Sequence, residues 1–446
     1  MRIAIVGSGI SGLGAAWLLS RDHQVTLYEA AARPGGHSNT LEIDDDGRRL
    51  AVDTGFIVYN EPNYPNLTRL LAALEIETHA SEMSFSVSLD EGRLEYAGSA
   101  AGLLAQPRNL LRPRMWRMTA DMLRFFREAE ADIPSLTESL ALGDYLQRRG
   151  YSQGFAKDHL LPMGAAIWSC ATEDMLRFPA RAFLEFYRNH GLLNYNARPQ
   201  WRSVVGGSWS YVERLLADSA IELRLSCPAI ALHQQPGARC LVDARGESRN
   251  YDEVILACHG DQARAILGEA AAPETAALLA AFRYHKNRVY LHRDTALMPR
   301  RRGVWSSWNY LGQSGSASGS PASVTYWMNR LQNLQTETPV LVSLNTRKAP
   351  ESEKTWATLS YDHPLFDTEA LAAQRALPAI QGKQGIWFCG SYCGYGFHED
   401  GLQAGFAVAE ALGSPAPWSG TVTPISPAAW TARPDPQRDA FAVAAE

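Results

Sequence analysis

RIAIVGSGISGLGAAWLLSRDHQVTLYE, residues 2–29, is the stretch on which the fold turns. Residues 2–6 form a short β-branched run, residues 25–28 form another, and residues 12–20 between them have helical composition. Strand, glycine turn, helix and strand in that order make the βαβ unit in which a dinucleotide pyrophosphate rests on a helix N-terminus. Unpaired backbone N–H groups and the helix dipole both favour negative charge there. Gly7, Gly9 and Gly12 supply the GxGxxG spacing, with Ile10 and Ser11 as further cofactor contacts. Glu29 ends the second strand, where a carboxylate accepts hydrogen bonds from ribose hydroxyls, and Ala30 stands beside it. A lone GxGxxG is weak, but here strand, helix and acid all stand at the required remove.

The chain has 446 residues, about three times the ~150-residue prior for one domain, which predicts two interlocked domains or one domain with a large insertion. With 46% hydrophobic and 20% charged residues it has the composition of a globular protein with a sizeable core. A net charge of -5 gives no footprint for nucleic acid. Six scattered cysteines without a CxxC pair suggest neither a metal site nor a disulfide framework, so reduced thiols and a cytoplasmic setting are expected. The N-terminal apolar stretch is broken by glycines and reads as fold, not as signal peptide. No window supplies the ~20 uninterrupted apolar residues of a membrane span, so any membrane contact is expected to be peripheral.

After Glu29 the chain reads AARPGGHSNT, carrying Arg33, Gly35, Gly36 and His37, and passes through an acidic hairpin to Asp53, Gly55, Phe56 and Ile57. This pattern resembles the glutathione-reductase-like, Rossmann-type FAD-binding fold of the flavin-containing amine oxidase, protoporphyrinogen oxidase and carotenoid desaturase superfamily. The resemblance implies that the glycine pair lets backbone approach the FAD phosphates. His37 takes a place often held by arginine. The likeness returns at Val205-Gly206-Gly207 before a helix over 211–217 and a strand over 221–225. It returns again at the strand 251–257 leading into Cys258 and His259, and at IWFCGSYCGYGFHEDGLQAG, 386–405. In the last motif Ser391 follows Gly390 where an acid is usual, and a helix beginning near Gly401 and Leu402 is expected to aim free amides at the flavin. Ala229 and Ile230 complete the cofactor contacts that the resemblance implies.

It also implies an α/β architecture: a discontinuous FAD-binding domain (1–80, 205–275, 380–413) and an interleaved α+β substrate domain (81–204, 276–379). Residues 414–446, rich in Pro, Ala and Ser, read as a poorly ordered or surface-draped tail. Longer phrases, DTGFIVYNEPNYPNLTRLL at 53–71, RPQW at 198–201, YLHRDTALMP at 290–299 and GFHEDGLQAG at 396–405, are more specific. They resemble predicted bacterial NAD/FAD-binding proteins similar to the N-terminal flavin domain of plant cyclopropane fatty acid synthases, over residues 1–413. That implies a setting in lipid modification, with a lipid-modifying methyltransferase as partner.

One dinucleotide fingerprint is visible, so electrons are expected from the substrate: a hydride passes from a C–H bond to flavin N5. The substrate reading is an apolar small molecule, lipid or fatty acyl chain. An amine oxidase and a flavin-bearing accessory protein of a methyltransferase are the alternatives. Trp168, Tyr290, Trp305, Trp308, Tyr326, Trp327 and Tyr395 are candidates for an aromatic cage. His398 and His292 are the candidate proton-transfer residues. Glu399 and Asp400 are expected to complement a helix dipole. Cys393 is the nearest candidate for a covalent flavin link, although non-covalent FAD is expected. The segment 103–129 interleaves arginines with leucines and aromatics, and reads either as an ordinary helix of the substrate domain or as a bilayer-interface segment.

Overall fold

The computed structural model describes residues 1–194, 198–235, 237–313 and 322–418. Five strands, β1 (Arg2–Val6), β2 (Gln24–Tyr28), β3 (Ile221–Arg224), β4 (Glu253–Leu256) and β5 (Ile386–Phe388), pair in parallel in the order β3-β2-β1-β4-β5. In β1, Ile5 sits between Leu27 of β2 and Ile255 of β4, all three fully buried. Apolar side chains on both faces are what a sheet covered on both sides requires.

Six helices position the site: α1 (Ile10–Leu19), α2 (Pro65–Ala73), α3 (Pro113–Asp132), α4 (Ala180–Asn189), α5 (Trp209–Ala217) and α6 (His398–Ala411). Every residue of α1 is buried. It lies between the sheet and α6, and small residues bring the two helices together: a Cβ at Gly405 would stand 2.2 Å from the Ser11 carbonyl oxygen. α6 begins at His398, three residues before Gly401, because Asp400 accepts the Phe397 N–H at 2.9 Å and closes the first turn there.

A second, mixed sheet runs Thr355–Pro364, Tyr284–His292, Leu341–Leu344, Ser323–Trp327, Trp308–Gly312, Phe85–Leu89, Leu94–Ala97. The last two strands come from the helix-rich region 81–204, so strands as well as helices fill it. One hydrophobic core surrounds the parallel sheet and another surrounds this second sheet with α3 and α4; Trp201 packs against both. None of the described helices is long and apolar enough to cross a membrane.

The first residues of the tail, 414–418, are draped against the helices, and the rest of it lies outside the described residues. Ser414 is buried and its hydroxyl donates to Asp22 at 2.8 Å, while Trp418 stacks on Trp17 at 6.1 Å and contacts Phe406 at 5.6 Å. An indole has enough apolar area to hold a short proline-rich segment against a helix pair. Trp430 lies outside the described residues. Truncation after Gly413 is therefore expected to lower stability by about 1–2 kcal/mol relative to truncation after Trp418, an aromatic-pair effect read by thermal unfolding.

Candidate functional site

A cavity of about 1160 Å3 is walled by residues of both cores. At one end the loop after β1 turns tightly into α1. Gly7 has φ +103°, and its N–H donates to the Tyr28 carbonyl at 2.8 Å. A Cβ at Gly12 would lie 1.9 Å from the Gly7 carbonyl oxygen, so only glycine allows the helix to start there. Gly9 differs: no atom lies within 4 Å of a Cβ built on it, and the residue lines the cavity. It caps α1 without any side-chain hydrogen bond, leaving the first-turn amides for a ligand.

Glu29 stands at the end of β2. Its Oε2 accepts from the Ser8 N–H at 3.0 Å and from the Ser8 hydroxyl at 2.5 Å, and its Oε1 accepts from the Ala31 N–H at 2.8 Å. These bonds fix the carboxylate on the cavity rim. The following loop is shaped by Arg33, whose guanidinium donates to the Pro34 and Gly36 carbonyls at 3.2 and 2.7 Å. His37 faces the cavity, stacks on Tyr361 at 4.8 Å and lies 5.2 Å from His363. Burial first, and then the neighbouring imidazoles, push the His37 pKa well below the ordinary range. His363 is pushed down to about 4 by burial. These walls therefore carry neutral rings. His37 Nε2 has no hydrogen-bond partner although it is buried.

Behind the loop, buried Asp53 joins three distant segments. It accepts from the Thr40 hydroxyl at 2.6 Å, the Ser208 N–H at 2.8 Å and hydroxyl at 2.7 Å, and the Gln332 side-chain amide at 3.0 Å. Burial pushes it up to about 6 against the pull of those donors.

At the other end, β5 leads into Gly390 and Ser391, which line the cavity, and then into α6. Glu399 points away from the cavity and caps α2, accepting from the Asn66 N–H and amide at 2.8 Å and from the Leu67 N–H at 3.0 Å. Asp400 closes its own helix. The two neighbours thus serve different helices, and burial pushes both up to about 7. His398 stacks on Phe56 at 3.9 Å and shares a 2.6 Å hydrogen bond with the Tyr211 hydroxyl, which in turn bonds Ser38. Burial lowers its pKa to about 3.

Of the residues expected from sequence, Gly7, Gly9, Ile10, Ser11, Glu29, Ala30, Gly36, His37, Gly55, Phe56, Ile57, Ala229, Ile230, Cys258, Gly390, Ser391 and His398 line the cavity. Gly12, Arg33, Gly35, Gly401 and Leu402 stand behind it: a Cβ at Gly35 would lie 2.8 Å from the Ser38 carbonyl, and Leu402 is fully buried core. His292 is a correction. It is fully buried within the second sheet and is absent from the cavity wall; its Nδ1 accepts the Asp294 N–H at 3.0 Å and its Nε2 bonds Ser343 at 2.7 Å. Both ring nitrogens are spent on structure. Trp168, Trp308, Tyr326 and Tyr395 reach the cavity, whereas Tyr290, Trp305 and Trp327 do not. Sequence reasoning missed Ser8, Tyr361 and His363; only the serine carried a local signal, its place inside the glycine turn. Cys393 is buried off the cavity, with its thiol pushed up to about 12, which leaves it poorly suited to covalent attachment.

The uncapped helix, the open space at Gly9 and the unpartnered His37 nitrogen fit a bound dinucleotide. Consistent with that, the sequence profile of the family described as "Flavin containing amine oxidoreductase" matches residues 10–346. An L-amino-acid oxidase of Pseudechis australis is 49% identical over 47 residues, a stretch that spans 10% of this chain and 9% of that one. Among solved structures, putrescine oxidase bound to putrescine superimposes with TM-score 0.67 at 15% identity, covering 92% of this chain and 99% of the other. A CLA-producing fatty acid isomerase from P. acnes superimposes with TM-score 0.66 at 13% identity, covering 91% and 96%.

The two glycines of the first turn make opposite predictions. Gly9→Val should leave folding within about 0.5 kcal/mol of the parent but abolish flavin retention, because its side chain enters the cavity; Gly12→Ala should fail to fold. Glu29→Ala should weaken flavin binding by roughly 1.5–3 kcal/mol, the worth of hydrogen bonds to a charged acceptor. Flavin absorbance after gel filtration and a binding titration of the apoprotein read these outcomes.

Proposed function

Because the chain belongs to the flavin-containing amine oxidoreductase family, we propose that its FAD-dependent oxidoreductase chemistry is directed at an apolar substrate, a lipid or fatty acyl chain. The observation that carries this reading is the character of the wall beyond the glycine turn. Met83, Phe85, Met163, Ile167, Trp168, Phe186 and Leu192 all line it, with the Trp168 and Phe186 rings 4.7 Å apart. Of the carboxylates among the described lining residues, Glu29 is bonded to Ser8 and Ala31 and Glu82 is paired with Arg330 at 3.1 Å, while Asp362 stands next to His363 and none of the three belongs to that apolar face. A substrate ammonium entering that face would lose its hydration without gaining a counter-charge. The resemblance to the flavin domain of plant cyclopropane fatty acid synthases supports the same substrate class, and makes a lipid-modifying methyltransferase the proposed partner.

FAD supplies a two-electron hydride acceptor that an external oxidant restores. Forming a C=C bond in an acyl chain removes a hydride from one carbon and a proton from its neighbour. The apolar face excludes water and orients the chain by shape. His398 is neutral at ordinary pH and lines the cavity, so its ring can accept the proton there, and its bond to Tyr211, which in turn bonds buried Ser38, holds the ring in place.

Anaerobic mixing with fatty acyl chains that still carry the CH2–CH2 unit to be desaturated should bleach the flavin, and mixing with primary amines should not; bleaching by amines alone would overturn the substrate reading. His398→Gln should keep its flavin yet reduce it about 10²-fold more slowly. Since the imidazole pKa is lowered from 6.5 to about 3, protonation begins only in strong acid. The wild-type rate should therefore show no His398-dependent limb between about pH 5 and 8. A limb near neutrality that disappears in the Gln variant would contradict this assignment.

A further inference from the structure

The segment containing Ala100–Leu104, Pro107–Leu111 and α3 carries an unusual surface. α3 buries Met115, Met118, Phe125 and Ala129 against the second core, yet its solvent side carries large apolar side chains as well as charged ones. Trp116 and Leu123, two turns apart on one side, are each 57% exposed, and Leu111 at the helix entrance is 86% exposed. Leu104 and Leu110 extend the patch, and the Trp116 indole N–H donates to the Leu110 carbonyl at 2.8 Å, tying the helix face to the turn before it. These five are most of the large exposed apolar side chains among the described residues.

Charge surrounds the patch. Residues 96–120 contain four arginines and no Asp or Glu. Arg114 is neutralised, because its guanidinium grips the buried Asp158 at 2.5 and 2.8 Å. Arg93, Arg108, Arg112 and Arg117 take part in none of the described ion pairs. Arg108 and Arg112 donate instead to the neutral carbonyls of Gly92 and Arg93 at 2.7–2.9 Å, which brings like charges together. Burial, and then the charges of Arg108 and Arg93, hold Arg112 below its ordinary range. Anionic groups would relieve that crowding.

We propose that this face docks on an anionic phospholipid surface, with Leu111, Trp116 and Leu123 entering the acyl boundary and Arg108, Arg112 and Arg117 meeting phosphates. An exposed leucine and indole set among unpaired guanidiniums is the complement of a bilayer interface, apolar below and anionic above. The choice of a membrane over a second copy of this chain follows from charge: an arginine-rich patch facing its own image would repel itself. The proposal stands apart from the redox chemistry, since it concerns where the protein rests and not what it oxidises.

The test uses the full FAD-loaded protein and co-sedimentation with vesicles of phosphatidylcholine and phosphatidylglycerol, with phosphatidylcholine alone as control. Two variants are compared: Arg108→Gln with Arg112→Gln and Arg117→Gln, and Leu111→Ser with Trp116→Ser. Arg114 is left intact because its loss would strand Asp158. Both variants should keep parental flavin content and circular dichroism. Wild type should bind anionic vesicles at low salt, lose binding as salt shortens the Debye length, and ignore the neutral control. The arginine variant should bind at least about tenfold more weakly, and the apolar variant should release. Equal sedimentation of all three proteins, no sedimentation of the wild type, or a wild-type dimer that the apolar variant dissolves would overturn the proposal.

Discussion

The closeness of two backbones at the start of α1 is the constraint on which the rest of the site depends. With Cβ positions only 1.9 Å from the Gly7 oxygen at Gly12, and 2.2 Å from the Ser11 oxygen at Gly405, α1 is held between a tight loop on one side and α6 on the other. No side chain larger than hydrogen fits either contact. The reward is directional: the N-terminus of α1, which no side chain caps, presents its first-turn amides to the cavity at the glycine turn. If either contact opened by a side chain's width, those amides would no longer point at the ligand.

What was legible in sequence is what short-range geometry dictates. The βαβ unit could be read because strand, turn, helix and acid lie within 28 residues of each other, and each has a physical reason for its residue type. The Gly390 loop was legible for the same reason. His292 shows where that logic stops. A histidine near a strand end looks the same in sequence whether it faces a cavity or spends both nitrogens on Ser343 and Asp294, and only the pairing of Tyr284–His292 with Leu341–Leu344 decides. Glu399 capping α2 and Tyr361 stacking on His37 join residues more than 300 positions apart, beyond any local pattern. Trp418 could be suspected of pinning the chain's end, but its partner Trp17 could not be named.

Around the glycine turn the imidazoles contribute no fixed charge to the cavity that they line. His37, His363 and His398 all face it with pKa values driven down by burial, so they offer neutral donors and acceptors at physiological pH. His37 supplies no permanent cation. Attraction for a pyrophosphate then falls on the α1 amides, whose partial charge does not titrate. A site built in this way keeps its anion affinity at the glycine turn over a wide pH range.

The two cores meet at Trp201, which packs against both, and across a polar seam. Asn39 and Thr54 from the first side both bond the Tyr361 hydroxyl at 2.8 Å, and Asp53 binds Gln332 through two hydrogen bonds. Apolar contact is non-directional and would tolerate sliding of one core on the other. Buried hydrogen bonds do not, because each slip leaves a donor or acceptor unpaired in a medium where that is costly. Tyr361 is both the seam's hydrogen-bond hub and the ring on which His37 stacks, so the position of the phosphate-facing wall is referred directly to the second sheet. The dimensions of the cavity thus follow from the satisfaction of a few buried polar groups, and the apolar face that receives the substrate is held in register with the glycine turn by the same atoms.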